Sequence, residues 1–438
     1  MNGLNTPLVL RRSLQTGLAW AAMSFSPLLC AWPFDGFDET GISRLEEVWL
    51  TLAGEINGTP PVPGARWPTR AVDLRLVKQP HLDIPPPDPA LTAKILPLLG
   101  DHVDDYALAI LDLTDPANPT YAEWRGDHKQ NVGSVGKLIG AMGLFQALAD
   151  TYPDDTSART RVLRETELTA DGFSQSDSHT VRIFDTQTRK LSRRPIQIGD
   201  RASLWEYLDW MLSVSSNSAA AMVMRDAMML RALGPDYPLA NDMVEEFFAS
   251  RSSSDKTSLF KATFWQPVTR NGFDIESIRQ GSFFTRGGKH QVNGGGNSYA
   301  TVRSLMRSLL RMEQGRLVDE WSSRQLKRLL YLTERRIRYA SSPALRDAAV
   351  YFKSGSLYSC KPEPDFNCGK YRGNVRNYMN SVAIIEQDLG SVRLHYAVTL
   401  ISNVLRENSA VAHQTLGTRI HRLMTARHAP VEGAGAAD

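Results

Sequence analysis

Apolar positions fall into two repeating patterns along the chain. Tyr106–Leu113 (YALAILDL) is a nearly unbroken aliphatic run closed by Asp-Pro, which predicts a buried strand. Tyr121–Gly126 (YAEWRG) predicts a second strand after a turn. The apolar run that follows Lys137 (LIGAMGLFQALA) suits a buried helix. Leu204, Leu208, Met211 and Leu212 recur at helical spacing, and Ala219–Met229 is another buried helix pattern. Ala300–Met312 and Trp321–Tyr331 read as amphipathic helices joined by a glycine-containing turn. Val350–Lys353 begins a strand, Met379–Glu386 and Leu394–Ile401 are two more, and a helix over Ser409–Met424 closes the series. Two early strands joining three late ones in one sheet, with helices against it, is the arrangement this order predicts.

The flanks read differently. Arg11-Arg12 followed by the apolar run Gly17–Ala31 resembles the basic and apolar regions of a signal peptide; an uncleaved anchor and a buried helix are the alternatives. Residues 32–90 are rich in Pro and Gly and read as an extended spacer. The expected organisation is therefore a signal or anchor over 1–31, the spacer over 32–90, a catalytic domain over 91–425 and a disordered tail over 426–438. Residues 153–202 and 250–297 are polar insertions, the first with a hairpin around Val181–Phe184.

Composition narrows the function. The chain has 438 residues, 42% hydrophobic and 22% charged, which excludes disorder over most of its length. Its net charge is only +3, which argues against binding nucleic acid by bulk phosphate neutralisation. Three cysteines are present; with Cys30 in the apolar N-terminal run, Cys360 and Cys368 are left as a pair suited to a disulfide in an oxidising compartment, two free thiols being the alternative. The expected location is periplasmic or extracellular, with membrane contact only through the N-terminal segment.

Three short motifs carry chemistry. Ser134-x-x-Lys137 opens a buried helix, where positions three apart share a face and a lysine of lowered pKa can deprotonate a serine. Two further Ser-x-x-Lys matches, at Ser253 and Ser258, lie in polar sequence with no apolar helix behind them. Ser215-Ser216-Asn217 precedes the second buried helix; it reads either as an N-cap or as a proton relay with a substrate-amide contact. Lys353-Ser354-Gly355-Ser356 lies on a predicted strand; it reads either as an edge-strand lysine followed by a bulge, or as a site where the lysine would attract an anion, Ser354 would bind a carboxylate and Gly355 would let a substrate approach the backbone.

The order, spacing and context of these three motifs resemble the penicillin-recognising serine hydrolases, closest to the class A β-lactamase-like branch. The likeness spans roughly 101–424. It implies an α+β fold, with an antiparallel five-stranded sheet flanked by helices and a mainly helical subdomain. It further implies that Ser134 is the acylated nucleophile, Lys137 its general base and Ser215 the relay to the leaving group. Asn217 would contact the substrate amide, and Lys353 with Ser354 would hold a carboxylate. The backbone N–H groups of Ser134 and Ser356 would form the oxyanion hole. No metal or organic cofactor is implied, and the expected partner is a small molecule or a peptidoglycan peptide.

One departure stands out. The Glu-x-x-x-Asn that supplies a water-activating carboxylate in class A enzymes has no match here; Glu276, with Gln280 four residues on, comes nearest, and reads either as a solvated loop carboxylate or as that base. The expected activity is hydrolysis of a β-lactam or a D-Ala-D-Ala-like amide. The alternatives are a slowly deacylating penicillin-binding sensor, turnover through Lys137 as in D,D-peptidases, and an esterase or amidase on another small substrate. No His-x-His, His-Glu-x-x-His, P-loop or Gly-x-Ser-x-Gly pattern supports a different chemistry. His413, His421 and His428 read as surface or satisfied core residues.

Overall fold

The central strand is buried along its whole length. β1 (Tyr106–Asp112) alternates its side chains between two cores: Tyr106, Leu108 and Ile110 enter one, and Ala107, Ala109 and Leu111 the other. This is the two-residue period of a strand covered on both faces. The structure, a computed structural model, describes residues 36–334 and 336–429. The basic pair Arg11-Arg12, the apolar run Gly17–Ala31, Cys30 and the tail beyond 429 lie outside the described residues. No helix among the described residues is long and apolar enough to cross a membrane.

β2 (Thr120–Trp124) follows β1, and three late strands complete the sheet: β3 (Ala349–Ser359), β4 (Arg376–Asp388) and β5 (Arg393–Ser402). The order is β2-β1-β5-β4-β3, antiparallel throughout. The early pair thus joins the late three through β1 and β5, as the element order predicts. The fold is α+β with a five-stranded antiparallel sheet.

Helix α1 (Lys137–Thr151) is buried over most of its length, and α2 (Leu204–Ser213) and α3 (Asn217–Leu233) pack beside it. With α4 (Val302–Glu313) and α5 (Glu320–Tyr331) they form the larger core on one face of the sheet. The other face is covered by Leu91, Ile95 and Leu99 and by Leu416, Ile420 and Met424 of α6 (Ser409–His428). That last helix continues past Met424 to His428, where Arg427 and His428 both reach Asp112. His413 and His421 are satisfied core residues: His413 bonds Ser381 and Ser402, and His421 bonds Tyr396.

The proline-rich stretch holds more order than its composition announces. Ser43–Leu52 is a ten-residue helix whose Arg44 reaches Asp209 at 2.5 and 2.6 Å. Arg75 joins Glu386 in a buried group with Lys327, Glu313 and His395. Glu313, Glu386 and His395 converge closely enough to hold a metal, but the Lys327 ammonium lies 2.6 and 2.7 Å from the two carboxylates, where a cation would sit.

The polar insertions are also ordered. Thr180–Asp185 pairs with Lys190–Pro195 as the expected hairpin. Ser253 and Ser258 lie on a helix, Ser253–Phe264, that is polar over its first half and buries Phe260, Thr263 and Phe264. Ser253 and Ser258 themselves are exposed on that helix, so neither second Ser-x-x-Lys pair has a buried lysine beside it.

Candidate active site

Ser134 lies in a single 3-10 turn, Gly133–Gly136, that feeds directly into α1. Gly133 has φ +53°, a left-handed conformation that favours glycine. The turn docks against the edge strand β3. A Cβ at Gly355 would stand 2.0 Å from the Val132 carbonyl oxygen and 2.6 Å from the Ser134 nitrogen. The missing side chain of Gly355 thus admits the Ser134 turn to the strand. The same contact sets the Ser134 backbone beside Ser356, whose nitrogen is 3.1 Å from the ideal Cβ position of Gly133. The two amides expected to bind an oxyanion thus sit on facing segments, and each such donor contributes about 3 kcal/mol to acyl transfer. Gly355→Ala is expected to push the turn off the strand and to slow acylation of Ser134 by at least about a hundredfold, while costing about 1–3 kcal/mol of stability. Stopped-flow acylation and denaturant melts check the two effects separately.

Lys137 is fully buried. Its Nζ lies 3.1 Å from Ser134 Oγ, 2.8 Å from Asn217 Oδ1, 3.3 Å from Ser215 Oγ and 2.5 Å from the Ser215 carbonyl oxygen. Burial lowers its pKa to about 7, with Asp177 opposing and Arg338 assisting the shift. A near-neutral amine three residues from the serine on one helix face is a base poised for the hydroxyl proton.

Ser215 sits between the two lysines. Its backbone is left-handed, with φ +65°, a strained conformation for serine. That turn aims its hydroxyl at Lys353 Nζ, 2.8 Å away, as well as at Lys137. Burial, with Lys137 and Arg338 nearby, pushes the Lys353 amine well below the usual lysine range. Ser216, the middle residue of the motif, caps α3 by accepting from the Ala219 N–H. The N-cap reading thus falls on Ser216, while the Ser215 hydroxyl lies beside both lysines and Asn217 Oδ1 beside Lys137.

Four groups here carry no motif of their own. Asp177 accepts from Ser216 Oγ, Asn217 N and Ser218 N at 3.0, 2.7 and 3.0 Å, and it lies 2.6 Å from His179 Nδ1. Burial would raise this carboxyl, but the hydrogen bond and charge of His179 and the backbone N–H groups hold it well below the usual range. Arg338 donates to Ser354 Oγ at 2.8 Å and Ser356 Oγ at 3.0 Å. Tyr371 lies beneath its guanidinium. Asp177→Ala removes three bonds from the α3 N-terminus and frees the Ser215–Asn217 turn. It is expected to cost about 2 kcal/mol and to lower kcat/KM at least about tenfold, read by urea unfolding and steady-state kinetics.

These residues line one cleft of about 670 Å³, walled by Ser134, Ser215, Asn217, Lys353, Ser354 and Ser356. Arg336, Arg338, Lys370, Tyr371 and His179 also face it, and among the described residues no Asp or Glu does. Glu276 stands outside. Its side chain is 62% exposed and engages Arg279 and the Tyr299 hydroxyl. Of its two readings, the solvated loop carboxylate is the one the structure matches: Glu276 belongs to a turn fixed by Asp274, away from the cleft walls, and the water-activating role finds no support. Phe284 takes the space next to Lys137, its ring 5.0 Å from Nζ. Cys360 and Cys368 form a disulfide with Cα atoms 6.1 Å apart, in the loop that presents Lys370 and Tyr371.

A family model described as the β-lactamase enzyme family matches residues 90–388. No curated protein matches the sequence. Among solved structures, a PBP-A variant captured as its acyl-enzyme with penicillin G is similar over 79% of this chain and 100% of its own, at 11% identity and TM-score 0.46. A β-lactamase from Chitinophaga pinensis is similar over 76% of this chain and 98% of its own, at 15% identity and TM-score 0.47. The TLA-3 extended-spectrum β-lactamase covers the same shares, at 14% identity and TM-score 0.45. Likeness that distant adds nothing to the assignment, which rests on the family match.

Proposed function

This chain belongs to the β-lactamase enzyme family, and from that premise we propose that Ser134 is acylated by a β-lactam or a D-alanyl-D-alanine-like amide and that water then releases the product. The carrying observation is the contact between Ser134 Oγ and the buried Lys137 amine, at 3.1 Å. The chain is a β-lactamase-like serine hydrolase; its substrate is the part proposed.

The chemistry follows from the contacts. Lys137 takes the Ser134 proton as Oγ attacks the carbonyl carbon. The carbonyl oxygen becomes negative and is met by the Ser134 and Ser356 N–H groups. Ser215 Oγ touches both lysine amines, so a proton passes from Lys137 through Ser215 to the departing nitrogen. Asn217 orients the amide, and Arg338 with Ser354 and Ser356 receives a carboxylate. Arg338 places a guanidinium charge beside Ser354 and Ser356. The disulfide supports the inference of export into an oxidising compartment.

A second reading has its own observation. Among the described residues, no carboxylate hydrogen-bonds Lys137, whose partners are Ser134, Ser215 and Asn217. That favours slow release of the acyl group, as in a penicillin-binding sensor. Product formed per enzyme, followed from seconds to hours with benzylpenicillin and a chromogenic cephalosporin, separates the two. Continued release beyond one equivalent supports hydrolysis; one equivalent and a plateau supports the sensor. Release from simple chromogenic esters alone would transfer the activity to an esterase.

A further inference from the structure

Two cations converge on one phenol in the cleft with no acid to balance them. The Arg338 guanidinium lies 4.7 Å and the Lys370 ammonium 5.2 Å from the centre of the Tyr371 ring, so the two charges are no more than about 10 Å apart. Among the described residues neither pairs with a carboxylate, and no Asp or Glu lines the cleft. Glu363, an acid of the same loop, is taken by Arg406 and Asn374. Arg338 and Lys370 also pull the Tyr371 phenol below its usual range against the opposing effect of burial.

The loop holding this pair is fixed rather than free to fold away. The Cys360–Cys368 disulfide closes its first half. Asn374 ties it back to the Lys361 carbonyl oxygen at 3.0 Å, and the Ser409 and Arg406 N–H groups hold the carbonyls of Tyr371 and Gly373 at 3.0 and 2.8 Å. Tyr371 is left-handed, with φ +65°. A strained residue held by this many ties, between two unpaired cations facing an acid-free cleft, is what a ligand's negative charge would complete.

We propose that the cleft takes dianionic substrates: one carboxylate at Arg338, Ser354 and Ser356, and a second anionic group at Lys370, within about 10 Å of the first. Lys370 is then the residue that selects for the second charge, and the disulfide-tied loop is the specificity element. This rests on the acyl-transfer reading of the same cleft.

Benzylpenicillin and carbenicillin differ by a single side-chain carboxylate, and their affinities for Ser134→Ala enzyme, measured by calorimetry, test the site without chemistry. Carbenicillin is expected to bind about fivefold tighter, the gain falling as salt is raised. Adding Lys370→Ala is expected to bring the ratio to about one, and Lys370→Arg to restore it. Equal affinities, or a ratio that survives Lys370→Ala, would overturn the second-anion site alone. Failure of both penicillins to bind would remove the β-lactam reading and this inference with it.

Discussion

Lys137→Met is expected to slow acylation of Ser134 about a thousandfold and to abolish its pH dependence near neutrality. The amine is buried, touches the serine hydroxyl and has a pKa of about 7. Only its neutral form accepts a proton. In the native enzyme the acylation rate should therefore fall about tenfold per pH unit below 7 and level off above it. The sign follows from burial, which disfavours the charged form and so lowers a lysine. Methionine keeps the length and apolar contacts of the side chain while removing the base, so loss of activity with an unchanged thermal melt assigns the effect to proton transfer. Stopped-flow acylation from pH 5 to 9 reads both features. A sloping acid limb that persists in Lys137→Met would assign it to another group.

Ser134→Ala should lose the covalent step altogether while keeping the cleft. The substitution removes one oxygen from a turn held against Gly355 by backbone contacts, and the hydroxyl's partner is the Lys137 amine, which keeps Ser215 and Asn217. Turnover is expected to fall at least about ten-thousandfold, since no second nucleophile touches Lys137 in the same position. Ser215 is the other hydroxyl near that amine, but it lies 3.3 Å away and is turned toward Lys353. Reversible penicillin binding should survive in calorimetry. Residual turnover within about tenfold of the native rate would move the nucleophile elsewhere.

The five strands, the buried helices and the three motifs were legible because each rests on local pattern. A strand buried on both faces is apolar throughout, as Tyr106–Asp112 is, and a buried helix such as Lys137–Thr151 reads the same way. The helix Ser43–Leu52 was hidden because two of its five buried residues are charged: Arg44 pairs with Asp209 and Glu47 with Arg182. Ser253–Phe264 was hidden because its first half is polar and exposed.

The site was legible only where a motif marked it. Arg338 and Tyr371 come from separate segments that the folded chain alone brings to one cleft, and Asp177 stands behind its wall on the Ser216–Ser218 turn. The short Ser-Asp-Ser-His run around Asp177, just before the hairpin, was the available clue to a capping acid. Glu276 is the opposite case. Its spacing to Gln280 approximated a family pattern, but the turn at Asp274 and its bonds to Arg279 and Tyr299 direct it to solvent.

The central claim is that Ser134 carries the acyl group. The direct measurement is to mix the enzyme with benzylpenicillin, quench in acid within seconds, digest, and locate the added mass by tandem mass spectrometry. The account predicts one penicilloyl group per chain, on Ser134. An adduct on any other residue, or no adduct while the β-lactam is consumed, would contradict it.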